Sequence, residues 1–127
     1  MSGLYRQSLL ESFEVAIDGL GYAFRTQRNF KIHLTITVLV VVAGVVFGVS
    51  LAEWLILWLT IGGVLITELL NTAIESTVDL VVGGDEHPQA KIAKDVAAGA
   101  CLLSAIMAVF IGVLIFLPPL LNRLRWG

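Results

Sequence analysis

Three stretches of this chain contain no Asp, Glu, Lys or Arg, and their lengths restrict what it can fold into. They cover residues 32–52, a run of 21, residues 96–122, a run of 27, and residues 54–67, a run of 14. About 20 apolar residues in helical form cross the roughly 30 Å hydrocarbon core of a bilayer. The first two runs suffice alone, and the longest implies tilt or an end outside the membrane. The third suffices only if its helix carries Glu68 to the edge of the bilayer. Lipid offers no partner to backbone N–H and C=O groups, so all three spans read as helices. Composition agrees: 57% of residues are hydrophobic and 14% charged, against roughly 45–50% and 25% in soluble domains. The predicted class is an all-α integral membrane protein with a single membrane-embedded domain over residues 1–127 and spans at about 30–49, 52–82 and 88–117.

Ahead of the first span, Leu9, Phe13, Ala16, Ile17, Leu20 and Phe24 recur at helical spacing. At 100° per residue they fill an arc of roughly 100°, with Gln7, Glu11, Glu14, Asp18 and Arg25 opposite. Mixed charge through Asp18 is unlike a cleavable signal. The pattern predicts an amphipathic surface helix over about 4–28, lying along the membrane or packed on its own bundle. The net charge of −2 supplies no positive field for a nucleic acid partner.

Basic residues set the orientation. With the N-terminus inside, Arg6, Arg25, Arg28, Lys31, Lys91 and Lys94 are cytoplasmic, and only Arg123 and Arg125 are outside. Six against two favours that topology. The outer turn then falls at 48–53 and the inner loop at 83–89. Gly83 and Gly84 suit a helix end, Pro88 a helix start, and Pro118 and Pro119 a stop to the last helix.

The second span ends in a polar face. Glu68, Asn71, Glu75 and Asp79 share an arc of roughly 80° and a stripe about 16 Å long at 1.5 Å per residue. A span that starts near Leu51 leaves hydrocarbon near Leu70, so Glu68 lies just inside the cytoplasmic boundary with Glu75 and Asp79 beyond it. Ionisable groups at that depth are costly and mark a functional path or a tight pair. Lys91, Lys94 and Asp95 open the third span at the same level. Carboxylates, an amide and a lysine at one interface suit Mg²⁺ on a nucleotide, because Mg²⁺ takes one or two carboxylates plus phosphate oxygens and water. The run Ala97-Ala98-Gly99-Ala100 reads as packing surface, as does Cys101. His33 reads as an interfacial residue, His87 as a helix-start residue, Asp85 and Glu86 as a solvated loop, and Trp54, Trp58 and Trp126 as interfacial anchors.

The segment Glu68-Leu-Leu-Asn71-Thr-Ala-Ile-Glu75-x-x-Val-Asp79, with His87-Pro-x-Ala-Lys91-x-Ala-Lys94-Asp95-x-Ala-Ala-Gly99 after it, resembles the small prokaryotic diacylglycerol kinase family, which includes undecaprenol kinases. The resemblance runs from about Phe13 to Leu117. It implies a homotrimer of three-span subunits with a surface helix, in the bacterial inner membrane, with active sites on the cytoplasmic side shared between neighbours. The implied reaction moves the γ-phosphate of ATP, with Mg²⁺, to the hydroxyl of a membrane lipid. By position, Glu68 would be the general base and Asn71 would orient the reacting groups. Glu75 would bind Mg²⁺, and Asp79, Lys94 and Asp95 would hold the nucleotide. At Gln27 the family pattern has a Glu that acts as a second metal ligand; the amide keeps an oxygen but not the charge.

The His87-Pro-x-Ala-Lys91 loop resembles the undecaprenol kinase branch, which makes undecaprenol the expected acceptor and diacylglycerol the alternative. A different class also fits a membrane carboxylate: a small oligomeric transporter with Glu68 as proton carrier. Such a carrier needs its Glu near midplane, whereas these carboxylates continue into the cytosol. No G-x-x-x-x-G-K-[ST] motif occurs, which excludes a P-loop kinase.

Overall fold

The structure is a computed structural model that describes residues 8–127. Arg6, Gln7 and the first residues of the expected surface helix lie outside the described residues. Four helices follow in order, α1 Leu9–Thr26, α2 Arg28–Phe47, α3 Leu51–Val82 and α4 Pro88–Trp126. The last three are each long and apolar enough to cross a membrane. The architecture is that of an all-helical, multi-pass membrane protein.

Local chemistry sets the helix ends. Ser8 and Glu11 form a reciprocal cap on α1: Glu11 N–H donates to Ser8 Oγ at 3.2 Å and Ser8 N–H to Glu11 Oε2 at 2.8 Å. Two orphan donors of the first turn are satisfied in this way. Ser50 and Glu53 repeat the device at the start of α3. Between α1 and α2 a single residue, Gln27, is extended at φ −104°, ψ 109°. It caps both helices, so α1 passes into α2 at one position.

The inner loop turns at Gly83, whose φ of 61° closes α3 in the left-handed region, where a Cβ would be strained. His87 then caps α4, its Nδ1 accepting from Gln89 N–H at 3.1 Å, with Pro88 in the first turn. The helix-start reading of His87 holds.

The expected stop at Pro118 and Pro119 does not. Helix α4 continues through both prolines to Trp126. Proline lacks the N–H for the helical bond and crowds the carbonyl four residues back, and the far end of α4 is tied down elsewhere. Arg123 Nη2 donates to Val46 O at 2.7 Å, and its guanidinium lies 4.7 Å from the Phe47 ring centroid. The C-terminal turns of α4 thus satisfy a carbonyl left open where α2 ends.

Leu57, Val64 and Glu68 form the buried face of α3, and Ala97 and Ile115 are the buried residues of α4. Of the small-residue run expected to pack, Ala97 is buried, while Ala98, Gly99 and Ala100 are exposed. On α2, Gly44 is buried beneath the Trp54 ring, where an added Cβ would come within 2.5 Å of Cη2. Trp54 therefore packs between helices as well as lying near a span end. Most large apolar side chains, Leu59 at 78% and Leu80 at 83% among them, are exposed on the chain. Such extensive apolar exposure suits lipid or further protein, not water.

Candidate active site

Because α3 is unbroken from Leu51 to Val82, Glu68, Asn71, Glu75 and Asp79 keep their helical register. The environment changes along the stripe. Glu68 is 7% exposed, the buried charged residue among those described. The Asp79 side chain is 63% exposed. One helix face thus carries a carboxylate from the protein interior to solvent.

At the buried end, His33 of α2 brings Nε2 to 3.2 Å from Glu68 Oε1. The interfacial reading of His33 misses this contact, which joins two residues far apart in sequence. The available signal was a polar ring at the second position of a charge-free run on a spanning helix. Next to Glu68, Thr67 Oγ1 lies 2.9 Å from Ser104 Oγ of α4. Cys101 donates its thiol to Thr67 O at 3.5 Å, in keeping with its packing role. Thr72 Oγ1 donates to the Glu68 backbone carbonyl at 2.9 Å, which leaves the carboxylate itself to side-chain partners.

One turn further, Asn71 Nδ2 donates to Glu75 Oε1 at 3.3 Å. Asn71 Oδ1 is buried with no hydrogen-bond partner. Buried acceptors are rarely left so, and this one sits beside a carboxylate. The pair offers hard oxygens of the kind Mg²⁺ accepts when it is shared with phosphate.

At the exposed end, Lys94 of α4 forms an ion pair with Asp79 of α3. Asp95 pairs with Lys91 one turn away along α4. All four, with Glu86 and His87, line an open cavity of about 860 Å³ at the α3–α4 loop. The expected nucleotide-holding residues are therefore brought together, with Lys94 and Asp95 bonded to different partners. Gln27 is placed differently: its side chain donates from Nε2 to Thr26 Oγ1 at 3.2 Å, not to Glu75. No group of three or more His, Cys, Asp or Glu side chains forms a metal cage among the described residues.

A second cavity, of about 310 Å³, lies between the spans and is lined mainly by apolar residues, including Ile36, Val40, Val64 and Val109. His33 forms part of its wall. His33 therefore links the apolar cavity to the buried Glu68, and the charged cleft opens further along α3 at Asp79.

Residues 14–116, which contain this whole constellation, match the family described as prokaryotic diacylglycerol kinase. The chain belongs to that family of lipid kinases. It is 52% identical over 115 residues to a Synechocystis protein named diacylglycerol kinase, covering 91% of this chain and 66% of that protein's length. It is 47% identical over 110 residues to a Bacillus subtilis protein named undecaprenol kinase, covering 87% of this chain and 89% of that one. A Helicobacter pylori protein named diacylglycerol kinase is 33% identical over 94 residues, 74% of this chain and 73% of its own. Within the diacylglycerol kinase family fold, α3 and α4 supply the stripe and the charged cleft, and α2 supplies His33.

Proposed function

We propose that this diacylglycerol kinase family member transfers the γ-phosphate of MgATP to the hydroxyl of a membrane lipid, undecaprenol in preference to diacylglycerol. The observation that carries this reading is the gradient along α3, from buried Glu68 to the open cavity at Asp79 and Lys94. A lipid alcohol must be met at membrane depth and a nucleotide from water, and one helix face reaches both.

In this reading Glu68 accepts the proton of the lipid hydroxyl. The lipid oxygen bonds to the γ-phosphorus, the bond to the β–γ bridging oxygen breaks, and ADP leaves. Asp79, Lys94 and Asp95 hold the nucleotide, and Asn71 orients the reacting groups. Glu75, with the buried Asn71 Oδ1 beside it and Gln27 from the α1–α2 junction, would hold Mg²⁺. Bound there, the cation supplies charge neutralisation to the phosphates. Phosphoryl transfer asks the protein mainly for positioning and electrostatics, so this small set of side chains suffices.

The exposed apolar faces of the single subunit support assembly into a homotrimer within the bilayer, with sites shared between neighbours. The Lys and Arg distribution supports a bacterial inner-membrane protein whose N-terminus and site face the cytoplasm. The surface helix is assigned to α1, resting against the lipid headgroups. The preference for undecaprenol is supported by the His87-Pro-x-Ala-Lys91 loop and by a match that covers 89% of the Bacillus protein, against 66% of the Synechocystis one.

The test is a mixed-micelle assay with γ-labelled ATP and either undecaprenol or diacylglycerol. Label should reach both lipid phosphates, faster with undecaprenol. Label in neither lipid would overturn the kinase reading; faster transfer to diacylglycerol would reverse the acceptor preference alone.

A further inference from the structure

Burying an ionised carboxylate is expensive unless another group partners it. Glu68 is buried, and the imidazole of His33 approaches Oε1 from another helix, at 3.2 Å from Nε2. Of the other groups near Glu68, Thr72 bonds to its backbone carbonyl, Thr67 pairs with Ser104, and the Cys101 thiol, which also lies beside the carboxylate, donates its one hydrogen to Thr67 O. His33 also walls the apolar cavity between the spans, so the imidazole stands where apolar space meets the carboxylate.

We infer that His33 is the positioning residue of the reaction: its Nε2–H donates to Glu68 Oε1 and thereby aims Oε2 at the incoming lipid hydroxyl. This rests on the reading of Glu68 as general base. With one oxygen held, the plane of the carboxylate is fixed and only the second oxygen is offered for proton transfer. The lipid O–H bond breaks, its proton passes to Oε2, and the His33 Nε2–H bond to Oε1 persists. The imidazole neither gains nor loses a proton in that step, and Glu68 returns its proton to water after the product leaves. His33 lies six residues beyond Gln27, near the start of α2, so the entry of that helix into the bundle sets the aim of a base on α3.

Three variants decide the matter: His33→Leu, His33→Gln and Glu68→Gln. Each is measured for kcat, for KM towards MgATP and lipid, and for direct MgATP binding on the same preparation. A misdirected base costs on the order of 10²-fold in rate. His33→Leu should lose about that much kcat, with KM for MgATP and nucleotide binding unchanged. Glutamine places an N–H donor close to the position of Nε2, so His33→Gln should recover at least about tenfold of the loss. If the Leu variant fails to fold, His33→Asn replaces it, because its shorter amide falls short of Oε1 and the same loss of kcat is expected.

A Leu or Asn variant with parental kcat would overturn the inference, as would a Gln variant no better than either while both bind MgATP normally. Glu68→Gln separates the two claims. If that variant is dead while the His33 variants are normal, only the role of His33 fails. If Glu68→Gln turns over freely, the base assignment itself fails.

Discussion

Thr67 Oγ1 and Ser104 Oγ stand 2.9 Å apart and join α3 to α4 one residue before Glu68. Each hydroxyl has one hydrogen, so one of the two donates across the pair while the other donates back along its own helix, Thr67 to Val64 O at 2.8 Å or Ser104 to Cys101 O at 2.9 Å. Polar contacts of this kind bind membrane helices that share no hydrophobic driving force. They hold the two helices that supply Glu68 and Lys94 in fixed relation, while α2 brings His33 from outside that pair. Positioning is most of what phosphoryl transfer requires, and this junction lies one residue from the proposed base.

The exposed ion pair of Lys94 with Asp79 contributes little to stability, because solvent screens it. In the proposed function its value lies in presenting a cation to nucleotide phosphate. Lys94→Met should raise KM for MgATP about tenfold or more, as expected for one lost charge-assisted hydrogen bond. The thermal midpoint in detergent should stay the same. A lowered midpoint with unchanged KM would assign the pair a structural role.

The spans were legible because charge is absent from residues 32–52 and 96–122, and bilayer thickness converts such runs into helices. The loop at 83–89 was legible through Gly83, Gly84 and Pro88, whose backbone preferences act locally. What escaped the sequence depends on contacts between distant residues. His33 meets Glu68 only when α2 packs on α3, and Lys94 selects Asp79 over its neighbour Asp95 only across the α3–α4 interface. Pro118 and Pro119 carry a strong local signal to stop, yet the helix continues and Arg123 anchors its end on Val46 and Phe47. The role of Trp54 against Gly44 is of the same kind, since tryptophan near a span end also suits an interfacial anchor.

The close approach of α2 to α3 makes Gly44 a test of packing. A methyl group there meets the Trp54 ring at 2.5 Å, and the indole must move. Gly44→Ala should destabilise the fold by about 1–3 kcal/mol, the usual cost of overpacking. It should lower the thermal midpoint in detergent, with nucleotide affinity little changed. An unaltered midpoint would show that Trp54 yields without cost.

Gln27 poses an electrostatic question. Its amide donates to Thr26 Oγ1, and its proposed place at the metal–phosphate site adds no charge. Gln27→Glu should tighten Mg²⁺ binding, because a carboxylate adds Coulomb attraction to a hard oxygen ligand. Glu75→Gln should do the reverse, raising the Mg²⁺ concentration for half-maximal rate. Both are read from one titration of rate against Mg²⁺. Overlapping curves for the parent and Gln27→Glu would remove Gln27 from the metal site, while an unmoved Glu75→Gln curve would remove Glu75.

The most direct measurement sets phosphoryl transfer by Glu68→Gln against MgATP binding by the same preparation. The change keeps size and hydrogen bonding but removes proton acceptance. MgATP should bind as in the parent, while transfer to undecaprenol and to diacylglycerol falls to background. Substantial transfer by the variant would contradict the assignment of the buried carboxylate as the base.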